Sequence, residues 1–154
     1  MPMECALFYS NGIKGSNTKG GREDSSAVIE FNHEVYRPVD PQKGVVQGTR
    51  VHKAIDLIME LDTAVPSLYK SCCKDEQLDE LVVKWYDTKD QLYFTHTLKK
   101  ATVASVEVIL PNTKDPSKER SPHLVRMRLQ YEEIEWNHVG GKGLQYPDAW
   151  KKAA

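Results

Sequence analysis

The 154-residue chain is 40% apolar and 28% charged, with 21 Lys and Arg against 22 Asp and Glu for a formal net charge of -1. A chain of this size and balance folds around one core, burying roughly 70% of its unfolded surface without metals or disulfides. No basic run offers the footprint that a phosphate backbone demands, and no apolar run reaches the roughly 20 residues of a spanning helix. The reading is a single domain over residues 1–154, with no nucleic-acid partner and no membrane insertion.

The opening MPMECALFYSNGIKG has no basic n-region, and its apolar stretch from Cys5 to Tyr9 is too short for a signal-peptide core. This predicts a cytoplasmic protein whose export, if any, uses a route that reads no classical signal. The same stretch alternates as a first strand. Residues 10–26, with Gly12, Gly15, Gly20 and Gly21, then read as a long connector. From 27 to 37, Ile29, Phe31 and Val35 alternate with Glu30, Asn32 and Glu34, which predicts a half-buried strand ended by Pro38. Residues 37–50, RPVDPQKGVVQGTR, contain two prolines, two glycines and no usable period. They predict an extended loop, in which Val45 and Val46 are unusually apolar for a solvated segment.

Residues 51–61 alternate again, with Val51, Ile55, Leu57, Met59 and Leu61 on one face and His52, Asp56 and Glu60 on the other; Ile58 breaks the polar face. Pro66 suits the first turn of a helix over about 66–74, because its missing N–H would be unpaired there anyway. Leu68, Tyr69, Cys72 and Cys73 form its apolar stripe. Strands at 80–86 and 91–98 flank the turn residues DTKD, and a further strand at 102–110 puts Ala104, Val106, Val108 and Leu110 on one face. Residues 111–122 read as a solvated loop. In the last strand, 123–138, apolar residues at Val125, Met127, Leu129 and Tyr131 shift parity to Ile134 and Trp136, which predicts a β-bulge near Glu132 and Glu133. The glycines that follow read as a flexible exit. The sum is roughly seven strands and one helix: a mainly β fold, a small antiparallel β-barrel or two-sheet sandwich with one short flanking α-helix.

Nothing in this pattern calls for a catalytic, cofactor or metal site. His33, His52, His96, His123 and His138 stand singly in strands without HExxH or CxxC spacing; they read as surface or strand-face residues, His33 as a hydrogen-bonded core histidine. No serine sits in GxSxG, and Glu132, Glu133 and Glu135 read as a solvated face or a subunit contact. Cys5, Cys72 and Cys73 are an odd number, which fits reduced thiols, the adjacent pair packing on the short helix. Oligomerisation is a different matter. Ile58 beside Leu57, Val82 between Leu81 and Val83, and Ile109 beside Val108 place apolar side chains on both faces of their strands. One small core uses one face, so the second calls for the helix or another subunit, and ring closure would cover exposed strand edges.

Several strings in order carry a family resemblance: NGIKG, the PVDPQKG loop, the GTRVHK strand start, the AVPSLYK helix and a terminal strand with IEWNHV. Together they span most of residues 4–150, and the chain resembles the hemolysin-coregulated protein (Hcp) family of type VI secretion. The resemblance implies a homohexameric ring with a wide channel. Such rings stack into a tube that a contractile sheath propels beneath a valine-glycine-repeat spike protein, with small effector proteins carried in the lumen. It implies a structural protein and no enzyme. It places the family's extended loop at residues 37–50, with Val45, Val46, Ile58, Arg37 and Arg50 as the candidate ring and stacking interface. The alternatives are a phage-type tail-tube protein and a stand-alone β-sandwich binding module or hydrolase.

Overall fold

The computed structural model describes residues 4–46, 48–118, 122–139 and 144–149. Its main strands are β1 (Glu4–Phe8), β2 (Ser26–Asn32), β7 (Ile55–Glu60), β8 (Leu78–Tyr86), β9 (Leu92–Ile109), β10 (Leu124–Gln130), β11 (Glu133–His138) and β12 (Leu144–Ala149). They form one antiparallel sheet in the order β10-β7-β2-β1-β8-β9-β11-β12, and a second pairing of β10 with β9 closes six of them into a barrel. β11 continues along β9 beyond the closure and carries β12 on its outer edge. Four short strands, β3 (Val35–Tyr36), β4 (Val39–Asp40), β5 (Val45–Val46) and β6 (Val51–His52), lie outside this sheet.

Alternation places the core. On β7, Ile55, Leu57 and Met59 are fully buried, and on β10 so are Val125, Met127 and Leu129, with Leu57 standing between Phe31 and Met127 in adjacent ladders. Leu81, Val83 and Leu98 complete the wall. The helix α1 (Val65–Lys74) packs on β9 and adds Val65 and Leu68 to the core, each burial contributing about 1.5–3 kcal/mol. Pro66 lies in its first turn, and Asp75 ends it in the left-handed conformation at φ 53°. Cys72 packs against the core, whereas Tyr69 and Cys73 face outward, so the buried stripe is Val65, Leu68, Ser71 and Cys72.

Three bulges correct the alternation expected from the sequence. In β2 the register passes from Val28 opposite Met59 to Glu30 opposite Ile58. Ile29 is the extra residue and is 53% exposed, while Val28 and Phe31 reach the core. The two strands expected at 91–98 and 102–110 are the single 18-residue β9. Its bulge at Ala104, opposite the step from Arg128 to Leu129, turns Val103 inward and leaves Val108 exposed. A third irregularity lies between Trp85 and Tyr86. No bulge lies at Glu132: the chain leaves the sheet after Gln130 and re-enters it at Glu133, so residues 123–138 are two strands against one long partner. Residues 51–61 likewise divide into β6 and β7. Leu144–Ala149, expected as a flexible exit, is strand β12; residues 140–143 lie outside the described residues.

The connector 10–25 is pinned rather than loose. Gly15 N–H donates to Asp24 O at 2.8 Å, and a Cβ on Gly15 would lie 2.3 Å from the Ser25 carbonyl oxygen. Arg22, its side chain buried, lies 3.6 Å over the Tyr86 ring and pairs with Glu4 and with Asp90 at 2.8 Å.

Candidate functional site

The segment expected as an extended loop is a two-stage β-hairpin. β3 pairs with β6 through Val35–His52 and Tyr36–Val51, and β4 pairs with β5 through Val39–Val46 and Asp40–Val45. The prolines and glycines that hid it from period-two reading make its turns. Asp40 Oδ1 accepts the Gln42 N–H at 2.9 Å, and Gly44, at φ 64°, donates its N–H to Asp40 O at 2.8 Å. Val39, Val45 and Val46 are 57%, 52% and 46% exposed, and Val35 and Tyr36 are also exposed. Five apolar side chains therefore stand on an arm held away from the core. Arg37 Nε–H donates to Gly48 O at 3.3 Å across the arm, and Ile58 lies half-buried on the outer face of β7.

The root of the arm holds a polar cluster that the sequence reading did not assemble. Asp148 of β12 accepts two hydrogen bonds from Arg50, at 2.6 and 2.9 Å, and a third from His52 Nε2 at 2.7 Å. His52 Nδ1 lies 2.6 Å from the Tyr131 hydroxyl, which lies 2.8 Å from His33 Nε2. With neutral imidazoles the polarity of this chain is fixed by chemistry. The carboxylate only accepts, so His52 carries its proton on Nε2; its Nδ1 then accepts the Tyr131 O–H, whose oxygen accepts the His33 Nε2–H. Arg50 first, and then His52, hold the Asp148 carboxyl below the usual carboxylate range. Around this chain Trp136 stacks on His33 at 27°, on His52 at 25° and on Tyr146 at 6°, each at 6.1 Å. Nearby, the Trp85 indole N–H donates to His96 Nδ1 at 3.0 Å.

These residues correct one expectation. His52 and His96, read as strand-face histidines, are buried, and together with His33 they form one cluster instead of standing singly; His123 and His138 are exposed. Arg50, read as an interface residue, grips Asp148 within its own chain while its side chain stays 42% exposed. His33 is hydrogen-bonded as expected, but half-buried at the barrel mouth and not in the core. The sequence held one further signal, the alternation of His33 with Phe31, but nothing in it linked His52 to Tyr131 or Asp148. Chemically the arrangement fastens elements together: the Tyr131 hydroxyl sits between two imidazoles on a residue only 2% exposed. Among the described residues no three His, Cys, Asp or Glu side chains are placed to hold a metal ion.

An exposed apolar arm locked to a closed barrel is the part of this fold that points outward, and comparison with known proteins gives it a context. The family model for the type VI secretion system effector Hcp matches residues 8–138. The chain belongs to the Hcp family. The "Major exported protein" of Pseudomonas aeruginosa is 32% identical over 141 residues, 89% of this chain and 81% of that protein. A crystal structure of an Hcp protein superposes with a TM-score of 0.85 at 29% identity, covering 99% of both chains. Hcp1 from Escherichia coli EAEC 042 gives 0.82 at 30% identity, covering 97% of this chain and 99% of that one. Hcp proteins are structural, secreted components of type VI secretion, so the family resemblance carried by PVDPQKG, GTRVHK and IEWNHV holds, and those strings map to the hairpin, its root and β11.

Proposed function

We propose that this Hcp-family chain acts as a single barrel domain, the subunit of a homohexameric ring that stacks into the inner tube of a type VI secretion machine. In this reading the protein has no enzymatic activity. The ring waits in the cytoplasm, and the contractile sheath drives it out beneath a valine-glycine-repeat spike with small effector proteins in the lumen. The hairpin carries the reading: Val39, Val45 and Val46 stand exposed on an arm fastened at its root by the Arg50–Asp148–His52 grip. A monomer gains nothing from holding valines rigidly in water, whereas a neighbouring subunit or the next ring gains a preformed apolar contact. Arg37 stiffens the arm, and Ile58 extends the apolar contact onto the outer face of β7. Arg50 then belongs to the interface indirectly, by fixing the arm's direction.

Light scattering after size exclusion tests the proposal. The purified chain is expected at about six times its 17.5 kDa mass, with electron micrographs showing a ring with a central hole. The double substitution Val45→Asp and Val46→Asp is expected to shift the mass toward the monomer while leaving the circular dichroism of the barrel unchanged. A stable monomer of the unmodified chain at high concentration rules the reading out.

A further inference from the structure

We propose that the imidazole cluster beneath the hairpin root is an acid-released clasp: protonation of His33 and His96 lifts the hairpin and β12 from the mouth of the barrel. The proposal goes beyond ring formation and does not depend on it.

Three imidazoles share this site, with ring centroids 5.9 Å apart for His33 and His96 and 6.5 Å for His33 and His52. The elements packed on them present mostly aromatic surface: Phe31 from β2, Trp85 from β8, Phe94 from β9 and Trp136 from β11. Among the described residues, the charged and titratable groups bonded into the cluster are Tyr131, Asp148 from β12 and Arg50 from the hairpin. Asp148 bonds to His52 and Arg50, and no hydrogen bond joins it to His33 or His96 among the described residues.

Geometry makes a proton on either ring disruptive. An indole N–H only donates, so Trp85 requires His96 Nδ1 unprotonated; a proton there sets two donors face to face at 3.0 Å. His33 already gives its Nε2–H to Tyr131, so its second proton goes to Nδ1, creating a cation beside His96 in an aromatic surround. Burial foremost, and then the neighbouring imidazole, lowers both His33 and His96 from 6.5 to about 4. Because these values are lowered in the closed form, the open form binds more protons between them. Opening is therefore favoured as pH falls from about 6.5 to about 4 and gains nothing more from these groups below that. At pH 5, returning His96 to water raises the opening constant about 30-fold over neutral pH, and the half-exposed His33 adds a smaller factor.

The parts that move are set by how they are attached. His96 and its partner Trp85 belong to the barrel ladders of β9 and β8 and stay with them, whereas, among the described residues, β12 ladder-pairs with β11 alone and is otherwise held through Asp148, the Arg50 bond to Ala149 O at 3.3 Å and the Tyr146–Trp136 stack. The hairpin hangs from His33 at one side of its root and from His52 at the other. Arg50 keeps Asp148 ionised through this pH range, so the carboxylate does not release the clasp first.

Hydrogen exchange read by mass spectrometry on the full chain between pH 7.5 and pH 4, corrected for intrinsic rates and paired with light scattering on the same samples, tests the clasp. Amides of the hairpin and β12 are expected to exchange about 30-fold faster at pH 5 than at pH 7.5, with β1 and β8 unchanged. His33→Gln with His96→Gln keeps a donor for Tyr131 and an acceptor for Trp85 without titrating; this double variant is expected to vary less than about threefold over the range, because its substituted side chains take up no proton. A flat wild-type profile overturns the proposal. So does a double variant that opens like the wild type, which would assign the opening to Asp148 or to loss of assembly. Should the variant not fold, ring nitrogen-15 shifts of the wild type decide: protonation of His96 without faster exchange of β12 overturns the proposal equally.

Discussion

Replacing Tyr131 by phenylalanine removes a single oxygen from a residue that is 2% exposed, and the structure sets what that removal costs. The lost hydroxyl donates to His52 Nδ1 at 2.6 Å and accepts from His33 Nε2 at 2.8 Å. The His52 side chain is fully enclosed, so the loss of the tyrosine donor costs about 1–3 kcal/mol there. His33 is half-buried and can turn toward water, which limits its share to about 0.5–1.5 kcal/mol. The phenyl ring refills the space, so no cavity adds to the sum, and about 2–4 kcal/mol of stability should disappear. With a urea dependence of about 2 kcal/mol per molar, the unfolding midpoint falls by about 1–2 M. Urea titration at neutral pH and fixed protein concentration, followed by tryptophan fluorescence, measures this directly, since Trp136 stacks on both imidazoles. A midpoint shift below about 0.3 M with an unchanged slope would refute the directed hydrogen-bond chain as a stabilising unit.

Two further outcomes follow from the barrel itself. Gly15→Ala drives a methyl group to 2.3 Å from the Ser25 carbonyl, a backbone atom that cannot swing aside; a loss of about 2–4 kcal/mol is expected by thermal unfolding, and a neutral substitution would mean the connector is not pinned as described. The cysteines should separate by reactivity. Burial pushes the Cys5 thiol up to about 12, whereas Cys73 is exposed on α1, so alkylation of the native chain at pH 8 should label Cys73 first and leave Cys5 until unfolding, as peptide mass mapping would show.

How much of this was legible in the sequence depends on the distance over which each feature is decided. Alternation within one strand reports which side chains share a face, and it identified the inward rows of β7 and β10 correctly. It failed wherever a single residue was inserted. Ile29 and Ala104 look like ordinary members of an alternating row, and only the partner strand shows that each is the extra residue of a bulge. The arm was read as a loop because β4 and β5 are two residues each, too short for any period, and its strand character comes entirely from cross-strand pairing.

The sequence by itself determined the mainly β character, the single helix at Pro66, and the apolar Val45 and Val46 in a segment of turn residues, because propensity, turn chemistry and alternation act over a few neighbouring residues. The tertiary structure alone decided that β9 is continuous, that six strands close into a barrel, and that His33, His52, Tyr131 and Asp148 meet. Those contacts join positions 79 to 98 residues apart. Local patterning is blind to such pairs; closure of the barrel brings His33, at the end of β2, beside the bend after β10 and under the hairpin root, and burial then obliges the polar atoms gathered there to find one another.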